Sequence, residues 1–189
     1  MSKEIENNNE NMPLEAALCS IKQAAEYLEA FIAARTVGGD DHGIIKPLHV
    51  IVNFDGGSRG NPGPAGAGAV VCDAGDKSIL YRGGVFLGKA TCNVAEYEAL
   101  IHGLGAAQHL NASKADIFGD SELVVLQMTG EYRVKSPRLK PLHRRAVQLA
   151  DGFEGGCSFR HIPREQNAAA DRLANDAMDA GADVLDAKN

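Results

Sequence analysis

Two aspartates stand where apolar strands are predicted to end. Asp55 closes one strand in IVNFDGGSRG, and Asp120 follows another in ADIFGDSELVV. Open α/β sheets bind ligands beyond the carboxyl ends of their strands, so two such aspartates can meet at one sheet edge. The structural alternatives are a turn residue for Asp55 and a helix N-cap for Asp120.

Two further carboxylates lie on predicted helices. Glu96 shares a helix face with Leu100 and Gly103, so we expect it to point towards the sheet, whereas Glu98 is expected to face solvent. A buried carboxylate is costly without a cation, so an inward Glu96 calls for a metal or a basic partner. For Asp171, inside the last helix, a solvated surface position is the alternative.

Together the four carboxylates predict an oxygen-only metal site. Hard cations such as Mg²⁺ and Mn²⁺ take carboxylate oxygens and retain waters. Like-charged carboxylates at ~4 Å repel one another unless a cation lies between them. Two metal ions about 3.5–4 Å apart can activate water and stabilise the leaving oxygen in phosphodiester hydrolysis.

The elements that must position these residues predict an α/β fold. Three β-branched or small apolar runs, separated by turns rich in Gly, Pro and Asp, indicate antiparallel strands at 48–55, 65–72 and 78–87. After them we predict a helix at about 93–110, a strand at 114–119, helices from Ser121 and at 137–151, a strand at 157–162 and a helix at 167–179. Alternating helices and strands after a hairpin series imply a mixed five-stranded sheet with flanking helices.

The first 46 residues have a different texture. Residues 1–12 are polar and predicted to be disordered, and residues 13–46 form an amphipathic helix, 14–35, followed by a glycine-rich linker. A single amphipathic helix cannot bury its own apolar stripe, so it must pack on the main domain, self-associate or bind a partner. The main domain is predicted at 47–180, with a tail at 181–189.

Composition limits the classes of function. The net charge of −6 disfavours a globally basic nucleic-acid binder, although residues 1–46, with 4 basic and 8 acidic residues, carry much of the acidity. The four cysteines show no zinc or disulfide spacing, which suits a reducing compartment. No secretory or membrane-spanning segment is recognisable, so a soluble, cytoplasmic protein with no membrane partner is expected.

Four segments in this order resemble the type 1 ribonuclease H family, most closely its compact bacterial and archaeal branch: DGGSRGNPGPAGAGAV, TCNVAEYEAL, GDSELVV and HIPREQNAAADRLAND. The similarity runs from about Leu48 to Ala180. It implies the ribonuclease H-like fold, with helices on both faces of the sheet. It also implies an endonuclease that cuts the RNA strand of RNA/DNA hybrids, leaving 5′-phosphate and 3′-hydroxyl ends.

The resemblance also assigns catalytic roles. It makes Asp55, Glu96, Asp120 and Asp171 the ligands of two Mg²⁺ ions, for which Mn²⁺ can substitute. His161 matches the family's mobile-loop histidine, which is thought to assist proton transfer or the release of product and metal. An imidazole that titrates near neutrality suits such roles. A histidine packed at a strand end is the structural alternative.

Substrate contacts follow from the same resemblance. Lys89 and Thr91 match positions that hold a DNA-strand phosphate in some members, and a cation beside a hydroxyl is a sensible phosphate clamp. Asn61 and Asn93 match positions near the RNA strand, where amides can contact 2′-hydroxyls. Cys92 stands where many relatives have asparagine, so one expected contact is missing.

A basic stretch runs from Arg133 to Arg145, with no acidic residue between Tyr132 and Ala150. Its cations are Arg133, Lys135, Arg138, Lys140, Arg144 and Arg145. They form either a solvated helix face or an electrostatic rail for the phosphates of a hybrid. The family resemblance places Arg133, Lys135 and Arg138 among the substrate-binding residues.

Two other functions compete with a ribonuclease H. One is a non-catalytic nucleic-acid-binding module on the same fold, whose expected signature is the loss of a ligand carboxylate. The other is a related phosphoryl transferase that cuts DNA without needing RNA. Fold analogy alone does not separate these classes. The presence of all four carboxylates in the family's order favours the hybrid-cutting nuclease.

Overall fold

The structure is a computed structural model that describes residues 47–185. The predicted disordered segment 1–12, the helix 14–35 and its linker lie outside the described residues. Within 47–185, no helix is long and apolar enough to cross a membrane.

A mixed sheet forms the centre of the described domain. Three long antiparallel strands come first: β1 (Leu48–Ser58), β2 (Gly63–Asp73) and β3 (Ile79–Ala90). Strand β4 (Ala112–Gly119) pairs in parallel with β1, and β5 (Cys157–His161) pairs in parallel with β4. The strand order is β5-β4-β1-β2-β3-β6.

The number of strands differs from the five that the sequence predicted. A sixth strand, β6 (Val184–Leu185), pairs antiparallel with Gly83 and Gly84 of β3. It lies in the segment predicted to be a tail, so the sheet extends past residue 180. Two residues are too few to show the period-2 alternation by which a strand is recognised in a sequence.

Within residues 47–185, four α-helices connect the strands: α1 (Cys92–His109), α2 (Glu122–Met128), α3 (Leu139–Ala150) and α4 (Ala168–Ala180), with a 3₁₀ turn at Arg164–Gln166 before α4. They agree with the predicted helices to within a few residues. The α/β class and the placement of helices on both faces are as the sequence predicted.

Alternation along β1 assigns its two faces. Val50, Val52 and Phe54 are fully buried on the face covered by α1, where Gly103 of the helix lies directly against Val52. The alternate residues Ile51, Asn53 and Asp55 lie on the opposite face, because successive side chains of a strand alternate.

The helix α4 covers that opposite face at backbone contact distance. A Cβ atom on Gly66 or Gly68 of β2 would come within 2.2 Å of the carbonyl oxygens of Ala174 and Ala170, respectively. Only glycine allows a helix to approach a strand this closely. The short distance brings the N-terminal end of α4 up to the ends of β1 and β4, where the predicted site lies.

Candidate functional site

Strand register brings the two strand-end aspartates together. Phe54 of β1 pairs with Gly119 of β4 in parallel register, so Asp55 and Asp120, the next residues, lie side by side. Gly119 also pairs with His161 of β5. The His161 side chain is at the same edge, with its Nε2 3.2 Å from the carbonyl oxygen of Asp120.

Glu96 reaches this edge from the first turns of α1. The helix is capped by Thr91, whose hydroxyl accepts a hydrogen bond from the backbone N–H of Val94 at 3.4 Å. The backbone N–H of Gly56 donates to Oε2 of Glu96 at 3.3 Å. Glu96 therefore points towards the sheet, as the sequence predicted.

The prediction for Glu98 was wrong. Glu98 is half-buried, and burial raises the pKa of its carboxyl while the nearby Arg145 guanidinium lowers it. Helix α1 packs against α3 as well as against the sheet, so a residue outside the sheet-facing stripe is covered too.

Asp171 lies in the first turn of α4 and contacts a cation in the structure. Nη2 of Arg164, from the 3₁₀ turn, donates to its Oδ1 at 2.5 Å, and Nδ2 of Asn175 donates to its Oδ2 at 3.2 Å. Arg164 was not singled out as a site residue in the sequence, although it belongs to the quoted HIPR segment. Its partner is a predicted metal ligand, so Arg164 belongs to the site.

Asn167 is a site residue that the sequence reasoning missed. Its side chain is 1% exposed, and Nδ2 donates both to the carbonyl oxygen of Phe54 at 2.8 Å and to Oδ1 of Asp120 at 2.7 Å. Its Oδ1 accepts from Nδ2 of Asn53 at 3.3 Å. One amide thus links β1, the end of β4 and the start of α4. The only sequence signal was a polar residue at the first position of the predicted helix 167–179.

Removing the Asn167 side-chain amide should destabilise the folded protein. We expect Asn167→Ala to lower the free energy of unfolding by about 1–3 kcal/mol, because it leaves a buried carbonyl and a carboxylate without their donor. Urea denaturation monitored by circular dichroism measures the change. The matched control is Asn175→Ala, which removes a half-buried amide from the same helix and should cost less than about 1 kcal/mol. Equal losses for the two variants would contradict the bridging role.

Burial and mutual repulsion perturb two of the four carboxylates. Burial raises the pKa of Asp55, which is 7% exposed, to about 7, with further contributions from the charges of Asp120 and Asp171. Burial also raises the pKa of Glu96 to about 9, assisted by the charges of Asp55 and Asp120. Arg164 lowers both pKa values without offsetting the increase. The site therefore concentrates more negative charge than its own cation neutralises.

This excess of negative charge fits a divalent cation. The donor set is four carboxylates, which hard cations prefer. Within residues 47–185, however, no three acidic, histidine or cysteine side chains are arranged as a finished cation cage. Two of the four are otherwise engaged, since Asp171 pairs with Arg164 and Asp120 accepts from Asn167. The residues fit a metal by chemistry and charge.

Removing one of the crowded charges should stabilise the metal-free protein. In EDTA at pH 8, we expect Glu96→Gln to raise the free energy of unfolding by about 1–3 kcal/mol. The folded pKa of about 9 lies above the ordinary value of 4.5, so folding disfavours the charged form. The stability linked to this group is complete below about pH 4.5 and is lost as the pH rises towards 9.

The difference in the free energy of unfolding between Glu96→Gln and the unmodified protein should therefore increase from pH 5 to pH 9 in urea titrations. Added Mg²⁺ should reduce this difference, because a cation that binds the folded unmodified protein stabilises it, whereas Glu96→Gln has lost one of the carboxylates that would bind the cation. Glu154→Gln, at an exposed loop position, is the control and should show no such difference. A difference in the free energy of unfolding that stays constant from pH 5 to pH 9 would contradict the repulsion between Glu96 and its neighbouring carboxylates.

The predicted substrate-binding residues fall into two groups. Asn61, Thr91 and Asn93 gather at the N-terminal end of α1, where Oδ1 of Asn61 accepts from the backbone N–H of Cys92 at 3.3 Å. Lys89 is exposed near the end of β3, two residues before Thr91. The second group, Arg133, Lys135 and Arg138, lies in the connection between α2 and α3 and is exposed.

Comparison with known proteins identifies relatives of this domain. Residues 53–177 match the family described as reverse transcriptase-like. The chain is 50% identical over 135 residues to the bifunctional protein Rv2228c of Mycobacterium tuberculosis, covering 71% of this chain and 37% of that protein. It is 46% identical over 126 residues to ribonuclease HI of Halobacterium salinarum, covering 67% of this chain and 62% of that protein.

Solved structures agree with these relatives. The N-terminal RNase H domain of Rv2228c superposes with a TM-score of 0.68, at 50% identity, covering 70% of this chain and 95% of that one. LC11-RNase H1, solved in complex with an RNA/DNA hybrid, gives a TM-score of 0.66 at 41% identity and covers 70% of this chain and 98% of that one. The match thus spans little more than a third of the full mycobacterial relative and under two thirds of the archaeal one.

Proposed function

Because this chain belongs to the reverse transcriptase-like family, among ribonuclease H domains, we propose that it is an endonuclease that hydrolyses the RNA strand of RNA/DNA hybrids. The observation that carries the proposal is the convergence of buried and half-buried, mutually repelling carboxylates at one sheet edge. Asp55 and Asp120 leave neighbouring strands there, and Glu96 meets them from α1. The negative charge of such a site favours the binding of cations, and phosphodiester substrates bring further negative charge to it.

The metal ligands in this proposal are Asp55, Glu96, Asp120 and Asp171, which would hold two Mg²⁺ ions, or Mn²⁺ in their place. Such ions, when bound, activate the attacking water and neutralise charge on the leaving oxygen. Asn167 orients the Asp120 carboxylate through its 2.7 Å hydrogen bond. His161, exposed beside Asp120, is placed to take up or deliver a proton, and the products carry 5′-phosphate and 3′-hydroxyl ends.

Substrate selection is assigned to the residues at the N-terminal end of α1. Oδ1 of Asn61 is occupied by the backbone N–H of Cys92, so Asn61 offers its Nδ2 donor to the RNA strand. Asn93 is exposed beside it and can contact 2′-hydroxyls. The hydroxyl of Thr91 accepts from Val94 as a cap, which leaves its proton, together with Lys89, for a DNA-strand phosphate. Arg133, Lys135 and Arg138 add long-range attraction to the duplex.

Two expectations from the sequence remain proposals. The amphipathic helix predicted at 14–35, outside the described residues, is proposed to pack on the main domain, to self-associate or to bind a partner. Removal of residues 1–46 should then change the mass measured by light scattering or the melting temperature. A cytoplasmic location is likewise proposed, on the basis of the scattered cysteines.

A cleavage assay on four matched duplexes tests the proposed activity. The substrates are a uniform RNA/DNA hybrid, double-stranded RNA, an all-DNA duplex and a DNA duplex with one ribonucleotide, each with Mg²⁺ or Mn²⁺ and with an EDTA control. We expect cutting of the RNA strand of the hybrid in the presence of metal, with 5′-phosphate ends on the fragments.

Each alternative function has its own outcome in this assay. Binding of the hybrid without cleavage in either metal would indicate a non-catalytic module. Cleavage of the all-DNA duplex at a comparable rate would indicate a DNA-cutting phosphoryl transferase. Either result would refute the proposed ribonuclease H activity.

A further inference from the structure

A cavity separate from the carboxylate site lies between the end of α2 and the helix α3. Its volume is about 500 Å³. An exposed tyrosine, a valine, a histidine and three cations line it: Tyr132, Arg133, Val134, Lys140, His143 and Arg144. Pockets of this size accommodate small organic ligands, and aromatic, apolar and cationic groups together select ligands that have both a ring and a negative charge.

The cations of this cavity are not neutralised by the described part of the chain. No carboxylate of residues 47–185 lies within ion-pair distance of Arg133, Lys140 or Arg144. The nearest acidic residue in the sequence, Glu131, instead accepts a hydrogen bond from the Thr129 hydroxyl at 3.0 Å. Three positive charges around one opening therefore remain available to an anion.

Hydrogen bonds hold several of the residues that line the cavity in place. The backbone N–H of Tyr132 donates to the carbonyl oxygen of Leu126 at 2.8 Å. Nε2 of His143 lies 3.3 Å from the carbonyl oxygen of Gln127, and the Gln127 side chain accepts from the Tyr97 hydroxyl at 2.7 Å within the core. The rings of His143 and Tyr97 also meet edge to face, with centroids 6.3 Å apart. These contacts fix the backbone of Tyr132 and the ring of His143 on the protein side of the cavity.

We propose that this cavity binds a nucleoside phosphate. The Tyr132 ring, 51% exposed, offers a face on which a base can stack, with Val134 beside it. Arg133, Lys140 and Arg144 hold the phosphate. The ligand is either a free mononucleotide or an unpaired nucleotide in a strand that extends from the hybrid. The second source rests on the proposed function, whereas the first is independent of it.

The position of the cavity makes the second source geometrically feasible. Asp120 lies two residues before α2, and the cavity lies at the other end of that helix. Seven helical residues span about 10 Å. A strand that leaves the cleavage site along α2 would therefore reach Tyr132 within a few nucleotides.

The first experiment measures binding of adenosine 5′-monophosphate by titration calorimetry in EDTA, which keeps divalent cations out of the carboxylate site. We expect saturable binding with a Kd of about 10 μM to 1 mM. Adenosine and inorganic phosphate, each lacking one half of the ligand, should bind more weakly. Tyr132→Ala and Arg144→Ala should each weaken binding at least about fivefold. Arg172→Ala removes an exposed arginine of α4 outside the cavity and should leave binding unchanged.

The second experiment identifies the source of the ligand. Cleavage is compared between a blunt hybrid and hybrids with a single-stranded DNA extension at either end. If an extension lowers KM and Tyr132→Ala abolishes that gain, the ligand is an unpaired nucleotide. If the substitutions weaken mononucleotide binding but do not change the effect of an extension on KM, the ligand is a free nucleotide. If neither readout depends on Tyr132 or Arg144, the proposal is overturned. A protein that cuts no hybrid at all loses its proposed function, while the calorimetric experiment still decides about the cavity.

Discussion

Asp120→Asn is expected to reduce hybrid cleavage by about a thousandfold or more, equivalent to about 4 kcal/mol of transition-state stabilisation. The substitution removes one charge from the carboxylate cluster, and with it part of the attraction for the proposed metal ions. The amide keeps an oxygen in the position that accepts from Nδ2 of Asn167, so the fold should survive. Single-turnover cleavage rates in saturating Mg²⁺, together with circular dichroism, measure both effects.

Asp176→Asn provides the matched control for Asp120→Asn, because Asp176 is an exposed aspartate on α4. It should leave the cleavage rate within about twofold. If Asp120→Asn cleaves at the unmodified rate, the four carboxylates are not the catalytic site. If it loses both activity and structure, the same comparison in Asp55→Asn distinguishes a chemical role from a structural one.

Gly56→Ala is expected to have the largest effect on stability, a loss of about 3 kcal/mol or more. An added Cβ would lie 2.1 Å from the carbonyl carbon of Ala95 and 2.3 Å from the backbone nitrogen of Glu96. Both contacts are with backbone, so no change of rotamer relieves them, and α1 must move away from the sheet. Glu96 moves with it, so cleavage should also fall. Thermal and urea denaturation measure the first effect, and the cleavage assay measures the second.

The control for Gly56→Ala is Gly105→Ala, at a glycine inside α1, the helix that Gly56 contacts. A Cβ atom on Gly105 meets nothing within 4 Å. Alanine is the better helix former, so this change should stabilise the protein by about 0.5–1 kcal/mol. If both substitutions are equally harmless, the close approach of α1 to β1 is not as described.

Much of the site could be predicted from the sequence because it depends on local rules. The alternation of Val50, Val52 and Phe54 determines the face of Asp55, and the helical period of α1 turns Glu96 inward. Two strand ends that carry aspartates converge in any sheet where those strands are parallel neighbours. These relations need only the periods of strands and helices.

The rest depends on tertiary contacts that no local rule specifies. Glu98 is half-buried because α3 packs against α1, and the charge of Arg145, a residue of α3, lowers the pKa of the Glu98 carboxyl. The basic stretch that looked continuous in the sequence is divided in space. Arg133, Lys140 and Arg144 surround a cavity, whereas Lys135 and Arg138 do not line it.

The position of Asn167 has a consequence for how the domain opens. Its amide joins the carbonyl of Phe54 and the carboxylate of Asp120 at the residue that precedes α4. Any fluctuation that unwinds the start of α4 therefore also releases the ends of β1 and β4. In native-state hydrogen exchange, amides in these three places should report one shared opening free energy and behave as a single cooperative unit. The catalytic edge would then be as stable as the last helix of the domain, and no more so.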